Sequence, residues 1–214
     1  MKNTLYGTFL CIILAIFPIS SCAQTSQDAV RSMQAQWAIN NYQLKGDEQD
    51  DAFIKLIEEA DIYVADFPAD APTLIWRGIV NSSYAGVSGG LGALKYAKAA
   101  RADLEAALEL QPDALEGSAY TSLGTLFFSV PGWPIGFGDD DKAEELLKKA
   151  LEINPDGIDS NYFFADYLTS EKRYDEAREY YNRALNAAPR AGREIADQGR
   201  RGEIQAALKK IEKR

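Results

Sequence analysis

Pro155 and Pro189 stand 34 residues apart, an interval that holds two short helices and the turns that join them. Within DGIDSNYFFADYLTSEKRYDEAREYYNRALNAAP (156–189), Phe164 and Ala165 sit where a first helix meets its partner. Ala177, Tyr181 and Ala184 follow on the second helix, before Pro189 ends it. Small side chains let two helix axes approach closely, and the aromatic fills the space that remains. A helix pair of this kind leaves an apolar face uncovered, so the unit must stack on others like itself.

Reading backward, Pro155, Pro112 and Pro68 close similar runs, at separations of 43 and 44 residues. Ala143, Leu147 and Ala150 before Pro155, and Ala100, Leu104 and Ala107 before Pro112, repeat the phases of Ala177, Tyr181 and Ala184. The residues in excess of 34 are read as GVSGGLG (86–92) and VPGWPIGFGDD (130–140), both placed between the first and second helix of their repeats. The chain then divides into a degenerate helical pair (28–68), a repeat with a long internal loop (69–112), a repeat carrying the VPGWPIGFG insertion (113–155), a regular repeat (156–189) and a capping helix (190–214). No segment alternates as a strand does, so the fold is expected to be all-α.

The interval, the closing prolines and the small-residue phases resemble the tetratricopeptide repeat family. The resemblance implies a right-handed α-solenoid of antiparallel helix pairs with capping helices, and a binding scaffold rather than a catalyst. In that family the first helix of each repeat lines an inner groove. On this chain the pattern selects Ile75, Ile79, Ser82, Ser83, Ser118, Thr121, Thr125, Phe128, Asp159, Tyr162 and Asp166, and Tyr84 is a further candidate contact. Members that hold acidic chaperone tails use Lys, Arg and Asn on this face. None appears among the selected positions, so a neutral peptide, a partner strand or a small amphipathic ligand is expected there.

No histidine occurs in the 214 residues, and Cys11 and Cys22 are the only cysteines. The commonest general base and the usual zinc ligand are thereby removed, so no catalytic residue, metal ligand or cofactor is assigned. A net charge of −9 argues against nucleic acid or an anionic lipid surface as a partner.

Residues 1–22 read as a bacterial-type export signal, with Lys2 ahead of an apolar run from Phe9 to Ile19, followed by a short polar linker at 23–27. Ile19-Ser20-Ser21-Cys22 resembles a lipobox, which would diacylate Cys22. Ser21-Cys22-Ala23 also suits ordinary signal peptidase as a small-x-small site, and both routes stand. The expected location is the periplasm, with a lipid anchor in the outer membrane, and the expected partners are other envelope proteins. The lipobox, irregular repeats and long excursions are also similar to the T components associated with TRAP-type transporters. That likeness implies a periplasmic solute-binding protein as partner and a small hydrophobic ligand.

Trp133, Pro134 and Phe137 in the 130–138 stretch admit two readings, a plug folded back on the helices or an exposed contact site, and the two are compatible. Asp139-Asp140-Asp141 lacks the alternating ligands of a calcium loop and reads as a helix cap. The basic run from Arg190 to Arg214 suits a helix end or an acidic docking face. Arg193, Asp197 and Arg200 share one side of that helix, placed for a buried polar contact with the last repeat.

Overall fold

The computed structural model describes residues 24–214; the segment 1–22 expected to act as an export signal, Cys22 included, lies outside the described residues. Among the described residues there are nine helices. They are α1 (Ser26–Tyr42), α2 (Gly46–Asp66), α3 (Ala71–Ser88), α4 (Gly90–Leu110), α5 (Ala114–Ser129), α6 (Asp140–Ile153), α7 (Ile158–Ser170), α8 (Tyr174–Asn186) and α9 (Glu194–Ile211). Their starts follow local chemistry. Thr25 and Asp28 form a reciprocal capping box on α1, and Asp70 caps α3 just ahead of Pro72. Asp139 accepts the Lys142 amide at 3.0 Å to cap α6, with Asp140 and Asp141 in the favourable first turn.

Consecutive helices pack as antiparallel pairs, and the first helices form a row in which α1 meets α3, α3 meets α5 and α5 meets α7. This is an all-α solenoid of stacked helix hairpins. Close approach within pairs rests on small residues facing large ones. Gly78 lies against Leu104 and Gly124 against Leu147, where an added Cβ would fall 2.9 Å and 2.8 Å from the leucine Cγ. Ala165 and Tyr181 hold the corresponding positions in the regular repeat, and both are fully buried. The second-helix triplets at 100/104/107, 143/147/150 and 177/181/184 are fully buried as well. Removing a side chain such as Leu147 to alanine from this packing costs about 3 kcal/mol.

Two features differ from the expected layout. The stretch 86–92 is not a loop: α3 runs to Ser88, α4 begins at Gly90, and Gly89 and Gly90 break the path at φ 57° and 62°. The extra length in that repeat has become helix, because nothing in the stretch forbids it apart from two residues in a conformation that glycine tolerates. In the next repeat the excess is split. Gly124 lies 12 residues after Pro112, whereas Ala165 lies 10 after Pro155, so two extra residues precede the close-packing site. They are taken up by a left-handed turn at Leu115, Glu116 and Gly117, with φ of 49°, 56° and 75°. Left-handed backbone costs about 1–2 kcal/mol per side-chain-bearing residue. The Ser118 hydroxyl donating to the Leu115 carbonyl at 2.6 Å and Asn154 donating to Glu116 at 2.8 Å hold it.

Helix α9 does more than cap the last repeat. It packs on α7 and α8 at one end of the row and on α1 at the other. The α1 contact is close because Gly199 has no side chain; a Cβ there would occupy the space of the Tyr42 ring. The Tyr42 hydroxyl donates to Glu203 at 3.2 Å across the same contact.

Candidate functional site

The inner faces of α1, α3, α5 and α7, together with the segment leading through α9, enclose a cavity of about 520 Å³. That is within the range of ordinary small-molecule sites, about 300–1,000 Å³. Of the groove positions selected from the repeat pattern, Ile79, Ser82, Ser83, Ser118, Thr121, Thr125 and Asp159 line it. Ile75 does not, being fully buried in the core. Phe128 turns its edge to Tyr167, with ring centroids 5.9 Å apart, and lies off the cavity wall. Asp166 is likewise off the wall, where it accepts the Tyr181 hydroxyl at 2.9 Å; burial raises its pKa. Tyr162 lies beneath the Arg200 guanidinium at 4.4 Å and outside the lining. Tyr84 is a core residue, packed between Phe53 and Tyr96 with centroids at 6.1 Å and 4.6 Å.

A charged clasp holds α9 over the cavity. Asp159 of α7 takes Arg190 at 2.7 Å and Arg200 at 2.9 Å, while Asp197 of α9 pairs with Arg190 at 2.7 Å. Burial alone would raise the Asp159 carboxyl, but Arg200 and then Arg190 outweigh it and hold it down at about 2. The Arg193, Asp197 and Arg200 face thus reaches the last repeat, and Arg193 reaches further, stacking over Trp76 of α3 at 4.9 Å. Trp37 and Trp76 supply the aromatic part of the wall, 5.9 Å apart and edge to face, with the Trp37 indole donating to Ser83 at 2.8 Å. Neither tryptophan belongs to the groove pattern inferred from the repeats. The signal that points to them is the basic face of α9, which needs an aromatic or acidic surface to rest on.

The 130–139 segment forms a separate feature at the edge of the solenoid. The Gly138 amide donates to the Pro131 carbonyl at 3.0 Å, the Asp139 amide to Phe127 at 2.9 Å, and the Ile135 and Gly136 amides to Gly132 at 3.2 Å each. Phe137 packs edge-on against Phe127 at 5.6 Å under the Arg101 guanidinium, 5.0 Å away. Pro134 is exposed, Trp133 is 89% exposed and Ile135 68% exposed. One loop therefore holds a packed residue and an exposed one: Phe137 anchors it and Trp133 projects from it. Gly136 lies beside Leu94, which places the loop next to the tip of the α3–α4 pair.

A row of helix hairpins around a groove is the architecture of a helical-repeat solenoid, and among the described residues no group of three or more His, Cys, Asp or Glu side chains is placed for a metal. The tetratricopeptide repeat family profile matches residues 135–197. The match takes in α6, α7 and α8, less than half of the chain, and the fold as a whole is a TPR-like helical solenoid. Among solved structures it is similar to TTC0263, a thermophilic TPR protein of Thermus thermophilus, at TM-score 0.55 and 19% identity over 86% of this chain and 99% of that one. It is also similar to MamA, at TM-score 0.45 and 19% identity over 78% of this chain and 90% of that one. No curated protein matches the chain.

Proposed function

We propose that this protein is a non-catalytic scaffold of the bacterial cell envelope, exported by residues 1–22, anchored through a diacylated Cys22, and engaging a partner polypeptide through the 130–139 ridge. The observation that carries the reading is Trp133, 89% exposed on a loop whose base is fixed by Phe137 and by backbone hydrogen bonds. A large aromatic held out on an ordered backbone loses little conformational freedom on binding, and tryptophan dominates interface energetics. The lipobox-like run before Cys22 supports the anchor.

The cavity favours a second reading, an accessory lipoprotein like the T component of a TRAP-type transporter that handles a small ligand alongside a solute-binding protein. Crosslinked capture from native envelopes, with wild type and Trp133→Ala compared and the mature N-terminus weighed by mass spectrometry, separates these. Diacylated Cys22 and a partner recovered only by wild type are expected. An N-terminus beginning near Ala23 overturns the anchor, equal recovery by both proteins overturns the ridge, and a solute-binding protein in the eluate selects the second reading.

A further inference from the structure

Among the described residues, the arginines around the cavity are held by carboxylates with one exception. Arg190 is held by Asp159 and Asp197, and Arg200 by Asp159 and Glu203. Arg193 lines the same cavity and has no ion pair and no side-chain hydrogen bond among the described residues. Its Nε is covered by protein and satisfied by nothing. Burial first, and the neighbouring Arg190 second, pull its pKa below the usual guanidinium value against the weaker opposing pull of Asp159 and Asp197. Trp76, stacked against that guanidinium and only 4% exposed, has an indole N–H that also lacks a protein partner. Those two atoms are covered and offer no donor to the cavity, but the half-buried Arg193 guanidinium lines the wall with no carboxylate of its own, so its terminal nitrogens leave a position for an acceptor bearing negative charge.

The rest of the wall sets what accompanies that charge. Trp37, Trp76, Ile79, Leu115 and Phe163 give apolar surface, and the Ser118, Thr121 and Thr125 region gives hydroxyls. We infer that the cavity is a site for a small amphipathic carboxylate, with the acid group on the terminal nitrogens of Arg193 beside Trp76 and the apolar body along the Trp37–Phe163 side. The size suits a medium-chain acid or an aryl acid, and α9 across the open side makes the arginine part of the site only when the solenoid is closed by it. This rests on the second reading above, that the cavity takes a ligand, and adds which chemistry it selects.

The test uses the full-length protein carrying Trp133→Phe, so that the emission of the remaining tryptophans, Trp37 and Trp76, reports the cavity. Octanoate and octanol are titrated as a matched pair, by fluorescence and by calorimetry. Octanoate is expected to bind in preference to octanol; Arg193→Gln weakens octanoate by about tenfold while leaving octanol unchanged, because only the charge-assisted hydrogen bonds are lost. Arg193→Lys restores part of the loss, since the charge returns without the planar fork. Should Arg193→Gln fail to fold, the octanoate preference of the parent protein decides, with Trp76→Phe read by calorimetry as the second variant. Equal binding of acid and alcohol, indifferent to Arg193, overturns the carboxylate site and leaves the cavity a ligand site. No response of Trp37 and Trp76 to either probe overturns both readings.

Discussion

Two glycine-bearing stretches occupy matching places in successive repeats, yet 86–92 disappears into helix and 130–139 stands out as a loop. The difference lies in proline. The first stretch has none, so α3 and α4 simply run longer, broken where Gly89 and Gly90 take φ 57° and 62°. The second has Pro131 and Pro134, which supply no amide hydrogen and crowd the preceding turn, so helix cannot cross it. Its amides instead bond within the loop and back to Phe127. The added helix also has somewhere to pack, because Tyr84 near the end of α3 is flanked by Phe53 of α2 and Tyr96 of α4. Extra length in a repeat is thus structurally silent where neighbours can cover it and helix is allowed, and becomes a surface feature where helix is forbidden.

The harshest way to break the contrast is at Gly138. A Cβ there would run into the Val130 carbonyl oxygen, backbone against backbone, with no side chain able to yield. Gly138→Ala should destabilise the loop by about 2–3 kcal/mol, the upper range for overpacking. The cost is local, since the loop can unseat while the helix pairs stay folded. Hydrogen exchange at the Asp139 amide, which donates to Phe127, is expected to speed up by about tenfold or more. Unchanged protection there would mean that the loop is not locked by the glycine.

Gly89→Ala probes the other stretch and should cost less. Nothing lies within 4 Å of the position a Cβ would take, so the penalty is only the φ 57°, ψ −173° backbone, a region belonging almost to glycine alone. About 1–2 kcal/mol is expected, seen as a lower melting temperature of the whole chain. A melting temperature that does not move would show the hairpin tip to be a soft joint, able to relax around any residue.

The asymmetry between the stretches also marks how far the sequence can be read. The helix-pair register follows from terminating prolines and from alanines in phase, because a close-packed interface admits few alternatives at Ala100, Ala143 or Ala177. The inner face follows in part: Ser82, Ser118, Thr121 and Thr125 are on the cavity wall, because equivalent positions in stacked helices stay in line. Long-range closure does not follow. That Gly199 of α9 would admit the Tyr42 ring of α1, or that Arg193 would stack on Trp76, depends on the accumulated turn of the solenoid, which no local spacing encodes. The same holds for Tyr162 and Asp166, whose partners Arg200 and Tyr181 arrive from other helices.

Trp133→Ala should have the smallest effect on folding, and for that reason sharpens the contrast most. The side chain is 89% exposed, so its removal takes little apolar surface out of a buried setting, and the melting temperature should stay within the change produced by about 0.5 kcal/mol. Phe137→Ala, by contrast, removes the ring that packs on Phe127 and must loosen the loop. If both variants lose partner capture but only Phe137→Ala lowers stability, the loop holds one residue for packing and another for contact. If Trp133→Ala proves as destabilising as Phe137→Ala, the exposed indole is part of the fold, and the proline-bounded stretch is a plug alone.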